Sequence, residues 1–222
     1  MAKPANAKLD LPRPLPLRQT ASDLLPYRSL DPLLPGLPRG AITEIVGAAS
    51  SGRTAVMQSM LATATRGGEV CAVVDTHVAF DPQSARLAEA DLGKLLWVQC
   101  AHQVDKAMRA ADMILHAGGF GLVVLDLADA PVAATQRIPT SHWYRFQRAV
   151  EHTPTVLIVL GTQSLARACA ARQIELTPQS PVWQGRTPFA LLEGLELEAG
   201  LRKPVLTQKL TLEARLPATL GA

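Results

Sequence analysis

Apolar positions along this chain follow two periodicities, and the switch between them lays out the elements. Continuous apolar runs occur at Ala41–Val46, Glu69–Asp75 (EVCAVVD), Leu95–Val98, Gly121–Asp126 (GLVVLD) and Thr155–Leu160. Short runs of this kind, rich in β-branched residues and bounded by glycine or aspartate, predict strands buried on both faces. Between them the spacing becomes helical: Arg53 to about Thr65 through Val56, Met60 and Leu61, then Pro82–Ala90, Val104–His116 and Ser141–Glu151. Gly67-Gly68 and Gly118-Gly119 stop two of these helices. Strands alternating with helices predict an α/β fold, a mainly parallel sheet covered by helices on both faces. After Thr162 the rhythm changes. Gln173–Leu176, Leu191–Glu198 and Leu206–Ala214 read as strands with no helix between them, which predicts an antiparallel extension at the C-terminal end.

Composition changes this picture at the ends and little elsewhere. Residues 1–28 are proline-rich, with LPRPLPLRQ at Leu11–Gln19, and predict an extended segment ahead of a core at 29–200 and a C-terminal strand and tail at 201–222. Across 222 residues, 48% hydrophobic and 18% charged describe a globular chain with material for a sizeable core. Runs such as Val156–Gly161 and Phe120–Leu125 are too short to span a bilayer, and no apolar segment follows a basic start, so neither a membrane span nor a signal peptide is expected. Cys71, Cys100 and Cys169 are widely spaced with no C-x-x-C pair, which reads as core thiols in a reducing cytoplasm. A net charge of +3 without a dense Lys/Arg run permits contact with DNA but does not argue for it.

One stretch carries the chemistry. EIVGAASSGRTAVMQSMLA, Glu44 to Ala62, is a strand, a glycine, a second glycine and a helix. That is the layout of a phosphate loop, in which glycines let backbone N–H groups close around an anion at a helix N-terminus. Gly47, Ser50, Ser51, Gly52 and Thr54 fit the pattern, with the Thr54 hydroxyl at the Mg²⁺ position. Arg53 stands where lysine belongs, and a planar guanidinium delivers its charge over a different geometry. Arg53 either binds phosphate or folds across the loop and fills the nucleotide's place. Asp126, ending GLVVLD, sits where a Mg²⁺-coordinating aspartate emerges from a neighbouring strand.

SLDPLLPGLPRGAITEIVGAASSGRT (Ser29–Thr54) resembles the opening of the bacterial RecA recombinase core, and VVDTHVAFDPQSARLAEADLGKLLWVQ (Val73–Gln99) continues the likeness through roughly residue 165. The resemblance implies a RecA-like P-loop core. It also marks two departures. The segment DTHVAFDP carries His77 where that family has the glutamate that polarises the attacking water, and Arg53 replaces the loop lysine. Neutral histidine lacks the fixed negative charge that role requires. Two losses in one reaction imply a degenerate ATPase, not an enzyme, holding ATP and Mg²⁺ weakly if at all. The mobile DNA-binding loop is not recognisable after Thr155–Gln163 (TVLIVLGTQ), and the helical subunit-docking element is replaced by prolines.

SHWYRFQRAVEHTPTVLIVLG (Ser141–Gly161), LARACAARQIEL (Leu165–Leu176) and the altered loop are together similar to the ImuA family, RecA-like accessory proteins of mutagenesis cassettes that also resemble the division inhibitor SulA. That similarity implies an SOS-induced adaptor for DNA repair by translesion synthesis, with RecA, ImuB and a DnaE2-type polymerase as partners. The alternatives are a slow regulatory ATPase of the RecA type and a SulA-like inhibitor acting on FtsZ. Read from the residues alone, Trp143, Tyr144, Arg145, Phe146 and Arg148 form an aromatic-basic helix. Trp143 and Phe146 at i, i+3 either pack on the sheet or, with Arg145 and Arg148, serve a partner or DNA. Arg137 and Arg186 are loop arginines within reach of phosphate, though solvated surface is the ordinary state of such residues. His102, His116, His142 and His152 show no metal-ligand spacing, and Ser164 in GTQS lacks the context of a hydrolase nucleophile.

Overall fold

The computed structural model describes residues 24–25, 36–185, 190–203 and 209–215. In chain order its elements are β1 (Leu24–Leu25), β2 (Leu37–Pro38), β3 (Ala41–Gly47), α1 (Arg53–Arg66), β4 (Cys71–Asp75), α2 (Pro82–Leu87), β5 (Leu95–Gln99), α3 (Val104–Ala117), β6 (Leu122–Asp126), α4 (Val132–Gln136), α5 (Thr140–Val150), β7 (Val156–Gly161), β8 (Ala170–Gln184), β9 (Leu191–Lys203) and β10 (Lys209–Arg215).

β3, β4, β6 and β7 are buried almost without a break, as their uninterrupted apolar sequences require. Eight strands form one sheet in the order β10-β9-β8-β3-β7-β6-β4-β5. From β8 to β5 all neighbours are parallel, while β9 and β10 run antiparallel. Alternate residues of each strand feed two cores. Ile45, Val73, Val124 and Ile158 meet Val56, Met57, Met60 and Leu61 of α1. On the other face Ile42, Val74, Leu125 and Leu157 meet Ala107 and Met108 of α3 and Trp143 and Phe146 of α5. The α/β architecture with helices on both faces and an antiparallel C-terminal extension is therefore present.

Two elements depart from the sequence reading. β8 is much longer than Gln173–Leu176 and enters the sheet parallel to β3, so the antiparallel addition begins only at β9. Beyond Leu176 the strand is held by pairing with β9, and its side chains from Thr177 to Pro181 are exposed, so no apolar run announced it. Pro178 lies at a register shift of that ladder, where a missing N–H is tolerated. Val132–Gln136, read as loop, forms the short helix α4.

The connection from β7 into β8 is pinned by a buried carboxylate. Glu44 of β3 is 1% exposed, and its oxygens accept the Ser164 hydroxyl at 2.7 Å and the Leu165 and Ala166 amides at 2.6 Å each. The three cysteines are buried and free. Burial, with the Glu69 charge adding to it, pushes the Cys71 thiol up to about 12, and burial is also the chief cause that raises Cys100 and Cys169. Among the described residues no helix is long and apolar enough to cross a membrane.

Candidate functional site

The loop from Gly47 to Thr54 sits at the carboxyl ends of the parallel strands, between β3 and α1, where open α/β sheets place their ligands. Its glycines have distinct reasons. A Cβ at Gly47 would lie 2.7 Å from the Leu176 carbonyl oxygen of β8 and collide with the Ser51 side chain. Gly52 caps α1 in the left-handed region, φ 84°, and a Cβ there would overlap the Leu197 side chain of β9. Ser50 also adopts positive φ, 59°, and the Ser51 amide donates to the Ala48 carbonyl at 3.2 Å to close the turn. No side chain caps the start of α1 and its first turn holds no acidic residue, so the positive end of the helix dipole is left uncompensated.

Inside this turn Ser51 is 1% and Arg53 7% exposed, yet Ser51 Oγ and Arg53 Nη1 have no hydrogen-bond partner. Arg53 thus turns inward, away from solvent, while Thr54 is exposed. Asp126 stands partly buried at the end of β6. Burial pushes the Asp126 carboxyl up to about 6; the Ala128 amide lowers it, the Asp75 and Asp129 charges raise it, and Arg53 lowers it.

Asp75 and Asp126 are register partners at the ends of β4 and β6. They differ in what they can offer. Asp75 is fully buried and takes four donors: the His77 and Ala79 amides at 3.2 and 3.1 Å on Oδ1, and the Phe80 amide and Trp97 Nε1 at 3.0 and 3.1 Å on Oδ2. Its lone pairs are consumed by its own turn and by the edge strand. The sequence reading noted Asp75 only as a strand boundary; its burial and its bond to Trp97 are tertiary facts without a local signal. Asp81, from the Asp-Pro helix start, caps α2 by accepting from the Gln83 and Ser84 amides.

His77 follows directly on this turn. Its ring stacks edge-on against His102, with centroids 4.9 Å apart, and its Nδ1 is buried without a partner. The His102 amide donates to the Thr76 carbonyl at 2.8 Å, tying the two strand-end turns together. Val78, Ala101 and His102 all adopt positive φ here, strain of a kind that clusters at functional sites.

Taken together, an uncapped helix start with two orphaned buried donors fits an anion of phosphate type. A divalent metal fits less well. Asp75 has no oxygen to spare, Asp126 Oδ1 already accepts the Ala128 amide at 2.9 Å, and among the described residues no cluster of His, Cys, Asp and Glu could hold a metal ion.

The remaining candidates fall elsewhere. Of the two readings left open for Trp143, the structure takes packing on the sheet: 3% exposed, it lies perpendicular to Phe146 at 5.9 Å because the i, i+3 stripe of α5 faces the sheet, so it is not a surface contact. Arg145 and Arg148 are exposed on the opposite side of that helix, and Arg145 pairs with Asp112 of α3 at 2.7 Å. Arg137 is exposed at the end of α4, whose neighbours Ala130 and Ile138 pack on the sheet face opposite α1. Arg186, the segment Leu11–Gln19 and most of residues 1–35 lie outside the described residues.

Fold and loop define a P-loop-type α/β core with an altered loop. The family described as the RecA N-terminal domain matches residues 30–138. Curated relatives include protein RecA of Acinetobacter baylyi, 40% identical over 91 residues, which is 41% of this chain and 26% of that protein. Protein RecA of Leifsonia xyli subsp. xyli is 32% identical over 140 residues, 57% of this chain and 39% of its own length. Protein RecA of Salinispora tropica is 30% identical over 140 residues, again 57% of this chain and 40% of its own length. The matched region thus spans two fifths or less of these relatives. The core of this chain is RecA-like.

Proposed function

We propose that this chain is a non-catalytic RecA-like adaptor in damage-induced translesion synthesis, of the ImuA type, working with RecA, ImuB and a DnaE2-type polymerase. The observation that carries the reading is Arg53, which replaces the loop lysine and, at 7% exposed, is turned into the protein. His77 in place of the glutamate removes the second requirement for hydrolysis. A chain that keeps the fold but not the chemistry serves by contact.

The test is damage-induced mutation frequency in cells carrying Arg53→Ala, with protein level followed in parallel. The adaptor reading expects a frequency close to wild type. Loss of mutagenesis while the folded variant persists would make the loop a working nucleotide switch. A slow regulatory ATPase is the second reading, favoured by the orphaned Ser51 Oγ and Arg53 Nη1 at an uncapped helix start.

A further inference from the structure

α5 is divided between two environments. Trp143, Phe146 and Val150 are buried, which turns Tyr144, Arg145 and Arg148 outward. α3 does the same, burying Ala111, Ile114 and Leu115 and exposing Met113 and His116. Between the two helices, on the sheet face opposite α1, runs a groove of about 720 Å³ lined by His116, Ser141, Tyr144, Arg145, Arg148 and Ala149. Tyr144 stays 53% exposed in it, and Met113 on the neighbouring helix 73%. Tyrosine, arginine and methionine are the residue types that interface cores favour.

The electrostatics of the groove select its occupant. Asp112 accepts from Arg145 at 2.7 Å and partly cancels it, and His116 Nδ1 donates to the Asp112 carbonyl at 2.8 Å. Arg148 has no hydrogen bond or ion pair among the described residues. We propose that this groove docks an acidic segment of a protein partner, with an apolar side chain seated on the Tyr144 ring and flanking carboxylates bound to Arg148 and shared with Arg145. A guanidinium fork beside an aromatic face suits a carboxylate next to an apolar anchor. Single-stranded nucleic acid is disfavoured because it needs a row of cations along its phosphates. Here Asp112 offsets one of two arginines, and the whole chain carries only +3. The proposal is independent of whether the phosphate loop holds nucleotide.

Fluorescence anisotropy with the intact chain tests it, using a labelled peptide with a Leu-Phe pair between Asp-Asp flanks and a labelled oligothymidylate of about 20 nucleotides. The peptide is expected to bind saturably, and Arg148→Glu and Tyr144→Ala are each expected to weaken it about tenfold or more. Both side chains are exposed, so melting temperatures should stay near wild type. Asp112→Asn frees Arg145 and is expected to tighten the peptide. Absence of saturable peptide binding up to about 1 mM, or binding that ignores both groove variants, overturns the proposal. So does oligothymidylate binding that is lost in Arg148→Glu, which would assign the groove to nucleic acid.

Discussion

Leu197 of the C-terminal hairpin packs directly against Gly52 of the loop, with its Cδ2 3.0 Å from where a Cβ on that glycine would stand. The antiparallel extension is therefore part of the loop's housing. Gly52→Ala combines a left-handed backbone with this overlap and should cost about 2–4 kcal/mol in denaturant unfolding. Truncating the neighbour relieves only the overlap. The double variant Gly52→Ala/Leu197→Ala should therefore be more stable than the sum of the single losses implies. Simple additivity would show that the two residues do not meet.

Asp75 should be worth more to the fold than any other carboxylate near the loop. Asp75→Ala leaves three amides, that of Phe80 buried, and the Trp97 indole without their acceptor, an expected loss of about 3 kcal/mol. Trp97→Phe removes one of those bonds and should cost about 1 kcal/mol. Equal and small effects of the two in urea titrations would contradict the role assigned to Asp75.

Asp126 gives the stability a pH signature. Its folded pKa, about 6, lies above the unfolded value near 3.8, so the folded state holds the proton more tightly. Its contribution is most favourable below the unfolded value, is lost progressively as pH rises from about 4 to about 6, and stays lost above that. Asp126→Asn keeps an oxygen for the Ala128 amide and removes the charge. It should stabilise the protein at pH 7.5 by up to about 3 kcal/mol, and the gain should shrink toward pH 4. Thermal melts of both proteins across that range check it; a gap independent of pH would refute it.

Much of the fold was legible because burial on both faces leaves a local mark. β4, β6 and β7 are continuous apolar runs, and α5 shows its buried stripe at Trp143, Phe146 and Val150. β8 left no such mark past Leu176, since pairing with β9 and not burial sustains it. The loop was legible from its glycines, whereas the burial of Arg53 is a tertiary fact with no local signal in the sequence. Glu44 was invisible as a hub because its partners Ser164–Ala166 arrive from the turn after β7; Asp75 takes three donors from its own turn, but its burial and the Trp97 bond from β5 left no local mark.

The adaptor role proposed for this RecA-like core requires that it not hydrolyse ATP. The most direct measurement is Mg²⁺-dependent ATP turnover by the intact chain, with and without single-stranded DNA, beside Asp126→Ala. The account predicts turnover at background in every case and no difference between the two proteins. Turnover that rises when DNA is added and vanishes in Asp126→Ala would contradict it.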